Sequence, residues 1–323
     1  MMTYLGSVNL NALYMLFKYA VVLIFYLVLS ISIQAQSVLF YNTENLFDTI
    51  DDAEVNDKEF LPKGTKEFGS IKYRLCIRQT SRALRMSVLS TPLPLELIGL
   101  CEIENRTILD DLKSHRGYRS TGDWQIIHYD SPDHRGIDCA ALLNTNIARL
   151  LYSNRIRYST DSLVTRDALF VRYKKQDSTN VNVIIVHLPS KRGGATSSKW
   201  KRDYCLKQVL LVADTCLDPT IICGDFNDNV HAEFLQHLPI GWTIKSPDFQ
   251  STKIGGSYKY KGRWQTIDLC LTNIPTLESN IISVATLLQK DIKWGGFKPH
   301  RRWQGHFYIN GFSDHLPVYF FKH

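Results

Sequence analysis

Six places in the sequence set chemically capable side chains at the margin of an apolar run. "SVLFY" (37–41) runs into Asn42 and Glu44, "LELIGLC" (95–101) into Glu102 and Glu104, and "VNVIIV" (181–186) into His187. "TIIC" (220–223) empties into Asp225 and Asn227. In two later runs the order is reversed: Asp268 opens "DLCL", and Asp314 with His315 opens "LPVYFF". A strand antiparallel to its neighbours presents its beginning where they present their ends. With the last two strands reversed, all six groups gather at one edge of the sheets.

Gathered there, Glu102, Glu44, Asp314 and Asn42 are hard oxygen donors, which suit Mg²⁺ or Mn²⁺. Only two of the ten histidines belong to the group, too few for a histidine-rich zinc site. A hydrated hard cation with two histidines and spare amides suits attack of water on phosphorus, the ion offsetting phosphate charge and orienting water. Singly, each residue is ordinary: an acid at a strand end is usually solvated surface. The weight lies in six together.

The elements that must position them follow from periodicity. Residues 70–90 read as an amphipathic helix stopped by "TPLP", and 197–217 as a second helix with a serine cap. The apolar runs above read as strands, joined by 137–144 and by "ALFVRY" (168–173). Helices interspersed among strands predict an α/β or α+β class with mixed sheets. With no repeat or linker, residues 36–323 read as one domain.

The first 35 residues carry a single charge, Lys18, then a 15-residue apolar run (19–33) and "QAQS". This pattern predicts a secretory signal cut after Ala35, the run being too short for a membrane span. The mature chain is expected to be periplasmic or extracellular, and a monomer. Seven cysteines, none within four residues of another, argue against a zinc ribbon or a redox pair. Cys101, Cys139, Cys223 and Cys270 read as small buried hydrophobes. Without Lys18 the chain has 37 basic and 31 acidic residues, a net +6 that suits an anionic substrate.

"YNTENLF", "GLCEIEN", "VHLPS", "GDFND" and "SDHLPV", in that order from Asn42 to His315, resemble the endonuclease/exonuclease/phosphatase superfamily, whose best-known fold is that of deoxyribonuclease I. The resemblance implies a four-layer α/β sandwich, two mixed sheets face to face with helices outside. It implies Glu102 as main metal ligand, with Asn42, Glu44 and Asp314 nearby. His187 and Asn227 would donate to phosphoryl oxygens, and Asp268 would orient His315. Asp225 would align or deprotonate the attacking water, and the choice of base between Asp225 and His315 stays open. Relatives often carry glutamine where this chain has Cys101.

Basic segments bear on substrate. Lys191 and Arg192 follow His187, and "KWKR" (199–202) opens the second helix against its dipole. In "YKYKGRW" (258–264), Lys259 and Lys261 interleave with aromatics, as on surfaces that pair with phosphates and stack on bases, or in a packed hairpin. "KPHRRW" (298–303) precedes "SDH", and Arg135 matches a basic position common in relatives. A metal-dependent nuclease acting on nucleic acid is the leading expectation. A sphingomyelinase-like, inositol-phosphate or sugar-phosphate hydrolase is the alternative, and a non-catalytic binder comes third because every expected position is filled.

Overall fold

The computed structural model describes residues 35–158, 160–247 and 254–322, together with Lys18. The expected signal (1–35) lies outside them except for Lys18 and Ala35. The main strands are β1 (Gln36–Leu46), β2 (Leu97–Ile103), β3 (Trp124–His128), β4 (Asp138–Asn144), β5 (Ala148–Ile156) and β6 (Ala168–Lys175). After them come β7 (Asn180–His187), β8 (Thr220–Asp225), β9 (Thr243–Lys245), β10 (Asp268–Thr272), β11 (Glu278–Ile281) and β12 (Val318–Lys322). They form two six-stranded mixed sheets, ordered β11-β12-β1-β2-β4-β3 and β5-β6-β7-β8-β10-β9.

Alternation along the strands explains the layers. Val38 and Phe40 of β1 point into a core shared with Val181, Val183 and Ile185 of β7, between the sheets. Leu39 and Tyr41 point the other way, toward helices α1 (Ser70–Ser90) and α2 (Arg106–Ser114). Ile184 and Val186 of β7 pack with Leu206 and Val209 of α3 (Ala195–Ala213). Central strands are thus apolar on both faces, which is why they read as continuous runs. Each fully buried aliphatic side chain contributes about 1.5–3 kcal/mol. The architecture is the four-layer sandwich expected. Cys101, Cys139, Cys223 and Cys270 lie in the inter-sheet core as free thiols.

Helix α3 departs from its expected start. It begins at Ala195 after Gly194, and no serine caps it; Ser198 Oγ instead donates back to the Gly194 carbonyl, 2.7 Å away. The chain takes φ 119° at Gly194, in the range where glycine is favoured.

Strand directions assemble the edge. β1–β2 and β7–β8 pair in parallel, whereas β10 runs antiparallel to β8 and β12 antiparallel to β1. His187 therefore stands beside Asp225, and Asp225 beside Asp268. A hairpin, Tyr258–Tyr260 with Arg263–Gln265, lies alongside, bridged through Tyr258 to His315.

Candidate active site

The loops entering the site are held in uncommon backbone conformations. Register shifts break the β1–β2 ladder between Asn42 and Leu46 and the β2–β4 ladder between Cys101 and Ile103. Glu44, Asn45 and Glu102 sit there with φ of 51°, 54° and 61°, and Asn227 has φ 51°. Such bulges re-aim side chains, and the left-handed region costs a non-glycine residue of order 1–3 kcal/mol. Four such residues, two of them asparagines, which tolerate this region, gather at this edge.

The polar groups converge. His315 Nδ1 lies 2.8 Å from Asp268 Oδ2, and its Nε2 lies 3.8 Å from Asp225 Oδ2. His187 Nε2 is 3.7 Å from the same oxygen and 3.8 Å from Glu102 Oε1. Asn42 Nδ2 donates to Asp225 Oδ2 at 3.1 Å, and the Asn227 backbone N–H to Asp225 Oδ1 at 2.8 Å. The Asn227 side chain donates to the Leu188 carbonyl at 2.9 Å.

Environment sorts the protonation states. Burial disfavours the His315 imidazolium, but the carboxylates of Asp268, Asp225 and Asp314 outweigh it and hold His315 well above its ordinary value. Burial, then the Arg166 and Arg135 guanidiniums, holds His187 well below its own, so that ring is neutral. Burial pushes Asp225 up to about 7, the His315 charge opposing.

Among the four expected metal ligands, Glu102 fits best. Its Oε2 accepts the Asn45 N–H at 2.8 Å, while Oε1 faces His187 in the cleft and takes no hydrogen bond among the described residues. Asp314, whose Oδ2 also meets Arg301 at 3.2 Å, and the amide oxygen of Asn42, which also accepts the Glu44 N–H at 3.0 Å, add oxygen donors, and no thiolate is within the set, which fits a hydrated hard cation. Glu44 reaches the site but is already engaged. Its carboxylate accepts the backbone N–H groups of Arg302 and Trp303, and Arg301 Nη2 lies 3.4 Å away.

These groups line a cleft of about 860 Å³. Arg135, Lys191 and Arg192 are on its wall, with Tyr258, Tyr260 and Trp303. A groove of about 980 Å³ between β5, β6 and the end of α3 holds none of the candidate catalytic residues.

Two lysines of the hairpin are not brought to the wall. Lys259 Nζ is bound to Asp291 at 3.0 Å and to the carbonyls of Gly295 and Phe297, tying the hairpin to a neighbouring loop. Lys261 lies over the Tyr260 ring, 5.3 Å from its centroid, and does not line the cleft. Two of the cations opening α3 also have partners within the chain. Arg202 is buried and donates to the Pro189 carbonyl, and Lys199 pairs with Glu233. Glu104 turns inward and accepts the Asp48 N–H at 2.7 Å.

Four further residues escape a reading of spacing. Asp228 accepts Lys191 at 2.6 Å and Arg202 at 3.3 Å, tying the loop after His187 to the loop after Asp225. Arg166 donates to the His187 and Leu188 carbonyls, each at 2.9 Å, and so fixes the His187 backbone. Tyr258 lies 4.9 Å, ring to ring, from His315. Arg301 touches two acids at once. Tyr258 and Arg301 had a signal in the basic-aromatic segments and Asp228 one in "GDFND"; Arg166 had none.

The fold and this edge define a phosphoesterase of the four-layer sandwich class. Residues 37–323 match the Endonuclease/Exonuclease/phosphatase family, and the chain belongs to it. Its members are phosphoric ester hydrolases, generally dependent on a divalent metal, and this chain is such a hydrolase. No curated protein matches the sequence. Solved structures share the fold at low identity. D. rerio TDP2 complexed with a single-strand DNA product has 14% identity and TM-score 0.56, over 89% of this chain and 98% of that one. The catalytic domain of human Nocturnin with bound sulfate has 15% identity and TM-score 0.53, over 89% and 92%. A mannosyl-6-phosphatase of Bacteroides thetaiotaomicron has 13% identity and TM-score 0.56, over 88% and 98%.

Proposed function

We propose that residues 36–323 form an exported, Mg²⁺- or Mn²⁺-dependent phosphodiesterase that hydrolyses nucleic acid by in-line attack of water on phosphorus. Glu102, with Asp314 and Asn42, would hold the ion, which supplies positive charge against the phosphoryl oxygens.

The residues divide the remaining work. His315 is already protonated and is held through Nδ1 by Asp268, so it donates from Nε2 to a phosphoryl oxygen and does not act as the base. Asp225 lies 3.8 Å from that nitrogen and takes the proton of the attacking water. The water oxygen bonds to phosphorus, the ester P–O bond breaks, and the leaving oxygen gains a proton from solvent. Neutral His187, together with the second amide hydrogen of Asn227, donates to the remaining oxygens; such preorganised donors favour the charge-rich transition state.

One observation carries the choice of nucleic acid: the Tyr258 ring lies 4.9 Å from His315 while Arg135, Lys191 and Arg192 line the same cleft. A base can stack there while its phosphate reaches the histidine. The test is a panel of plasmid DNA, RNA, sphingomyelin, inositol phosphates and sugar phosphates, with and without EDTA, on the purified protein and on Asp225→Asn and His315→Ala. Metal-dependent cleavage of nucleic acid, lost in both variants, is expected. Turnover of lipid or small phosphoesters without nuclease activity overturns the substrate, and cleavage that survives both substitutions overturns the mechanism.

Export rests on residues 1–35, cut after Ala35. Among the described residues no helix is long and apolar enough to cross a membrane. An N-terminus at Gln36, found by mass spectrometry of protein recovered outside the cytoplasm, checks this.

A further inference from the structure

Arg301 stands where the acids of the site would otherwise repel one another. Its Nη2 lies 3.2 Å from Asp314 Oδ2 and 3.4 Å from Glu44 Oε1. Glu44 is buried, and a buried carboxylate beside a second one is costly unless a cation or hydrogen bonds compensate it. Here part of the compensation comes without a metal, from the backbone N–H groups of Arg302 and Trp303 plus one guanidinium, while burial and then the neighbouring Asp314 still push Glu44 up to about 8.

The backbone that carries this guanidinium is held on both sides. The next residue, Arg302, is fully buried and donates to the Glu44 carbonyl (3.1 Å), Thr80 Oγ1 (2.7 Å) and the Phe312 carbonyl (3.0 Å). On the other side the chain passes so close that a Cβ at Gly311 would lie 1.9 Å from the Arg301 carbonyl oxygen. The backbone of Arg301 is therefore clamped between β1 and the segment leading to His315, and its charge faces the same cleft as Glu102 and His187.

Two-metal phosphoesterases place their ions about 3.5–4 Å apart and share carboxylates between them. We infer that Arg301 is a built-in cation of this site: its guanidinium bridges Glu44 and the Oδ2 atom of Asp314, leaving Asp314 Oδ1 to the ion at Glu102, so that the chain holds one divalent ion rather than two. This rests on the reading of Glu102 as the metal-binding carboxylate. In this arrangement Glu44 is a positioning residue for Arg301, and Arg301 supplies a fixed second charge beside the phosphoryl group. A guanidinium cannot be titrated away or chelated, so only the first charge is removable.

The test counts bound Mn²⁺ by electron paramagnetic resonance on the full-length protein without substrate. Wild type, Arg301→Lys, Arg301→Ala, Arg301→Gln and Glu102→Gln are compared, with folding checked by circular dichroism. One ion per chain is expected in wild type and in Arg301→Lys, which keeps the charge. Two are expected in Arg301→Ala or Arg301→Gln, where the vacated acids accept a second ion. Two ions in wild type, or one in both charge-free variants, overturns the inference. Glu102→Gln separates the two readings: loss of the wild-type ion is expected. Retention of that ion removes Glu102 as its ligand, while the gain in the Arg301 variants still decides the role of the arginine.

Discussion

His315 Nδ1 lies 2.8 Å from Asp268 Oδ2, and that same aspartate stands directly across the ladder from Asp225. One antiparallel pairing therefore fixes both the residue that orients the histidine and the residue proposed as base. In Asp268→Asn the imidazole loses the carboxylate charge that keeps it protonated, and an amide that can either accept or donate no longer fixes its tautomer. The expected result is a fall in kcat of ~10²–10⁴-fold with KM little changed. Steady-state kinetics on a nucleic-acid substrate check it, and a loss under about tenfold removes the orienting role.

Glu102 is asked to hold a left-handed backbone, φ 61°, in order to aim its carboxylate. Glu102→Ala and Glu102→Gly remove the same carboxylate and differ only in how they tolerate that conformation. In an ordinary strand glycine is ~0.5–1 kcal/mol worse than alanine. Here the order should invert, with Glu102→Gly the more stable by about 1 kcal/mol and both variants inactive. Urea unfolding of the pair measures the difference directly; alanine being the more stable contradicts stored strain at this position.

How the sequence encodes all this differs between the frame and the site. Strands buried on both faces, such as "VNVIIV", are legible because nearly every residue must be apolar, the buried Asn182 being satisfied by Thr220 Oγ1 at 3.2 Å. The edge strand β5 is not: most of its residues are partly or fully exposed, so no period-two pattern is selected. The strand ends carrying Glu102, His187, Asp225 and Asp268 were legible because a polar cluster at the mouth of a buried strand is unusual. The partners of Glu44 were not, since Arg302 meets it from 258 positions away and no local pattern encodes that contact. Lys259 shows the converse error. Its basic-aromatic setting suggested substrate, yet the fold spends the charge on Asp291.

Away from the site, Glu96 gives a pH signature. It is buried at the far end of β2, accepts the Tyr173 hydroxyl at 2.7 Å, and lies 3.1 Å from Lys175. Burial raises its value above the ordinary 4.5, the Lys175 charge opposing. The folded protein thus binds this proton more tightly than the unfolded chain, so the contribution to stability falls as pH rises. The fall begins near 4.5 and ends once the raised folded value is passed. Glu96→Gln removes the titration. The difference in unfolding free energy, wild type minus variant, should therefore decline across that window and then level off. A difference that stays flat, or rises, in denaturant titrations from acid to neutral pH would contradict it.

Arg192 tests the substrate itself. It lines the cleft beside Lys191, but whereas Lys191 is tied to Asp228, the Arg192 side chain is exposed and its guanidinium has no partner among the described residues. A cation held by nothing in the protein is available to a phosphate. If nucleic acid runs along this wall, Arg192→Ala removes one phosphate contact and the counterion release that goes with it. The effect should fall on KM rather than kcat, and the slope of log KM against log salt should drop by about 0.7 for single strands and about 0.9 for duplex. Kinetics at several salt concentrations read both quantities. An unchanged slope would place the polymer elsewhere and favour a small phosphoester, which needs the charge beside the reacting phosphorus but no track leading away from it.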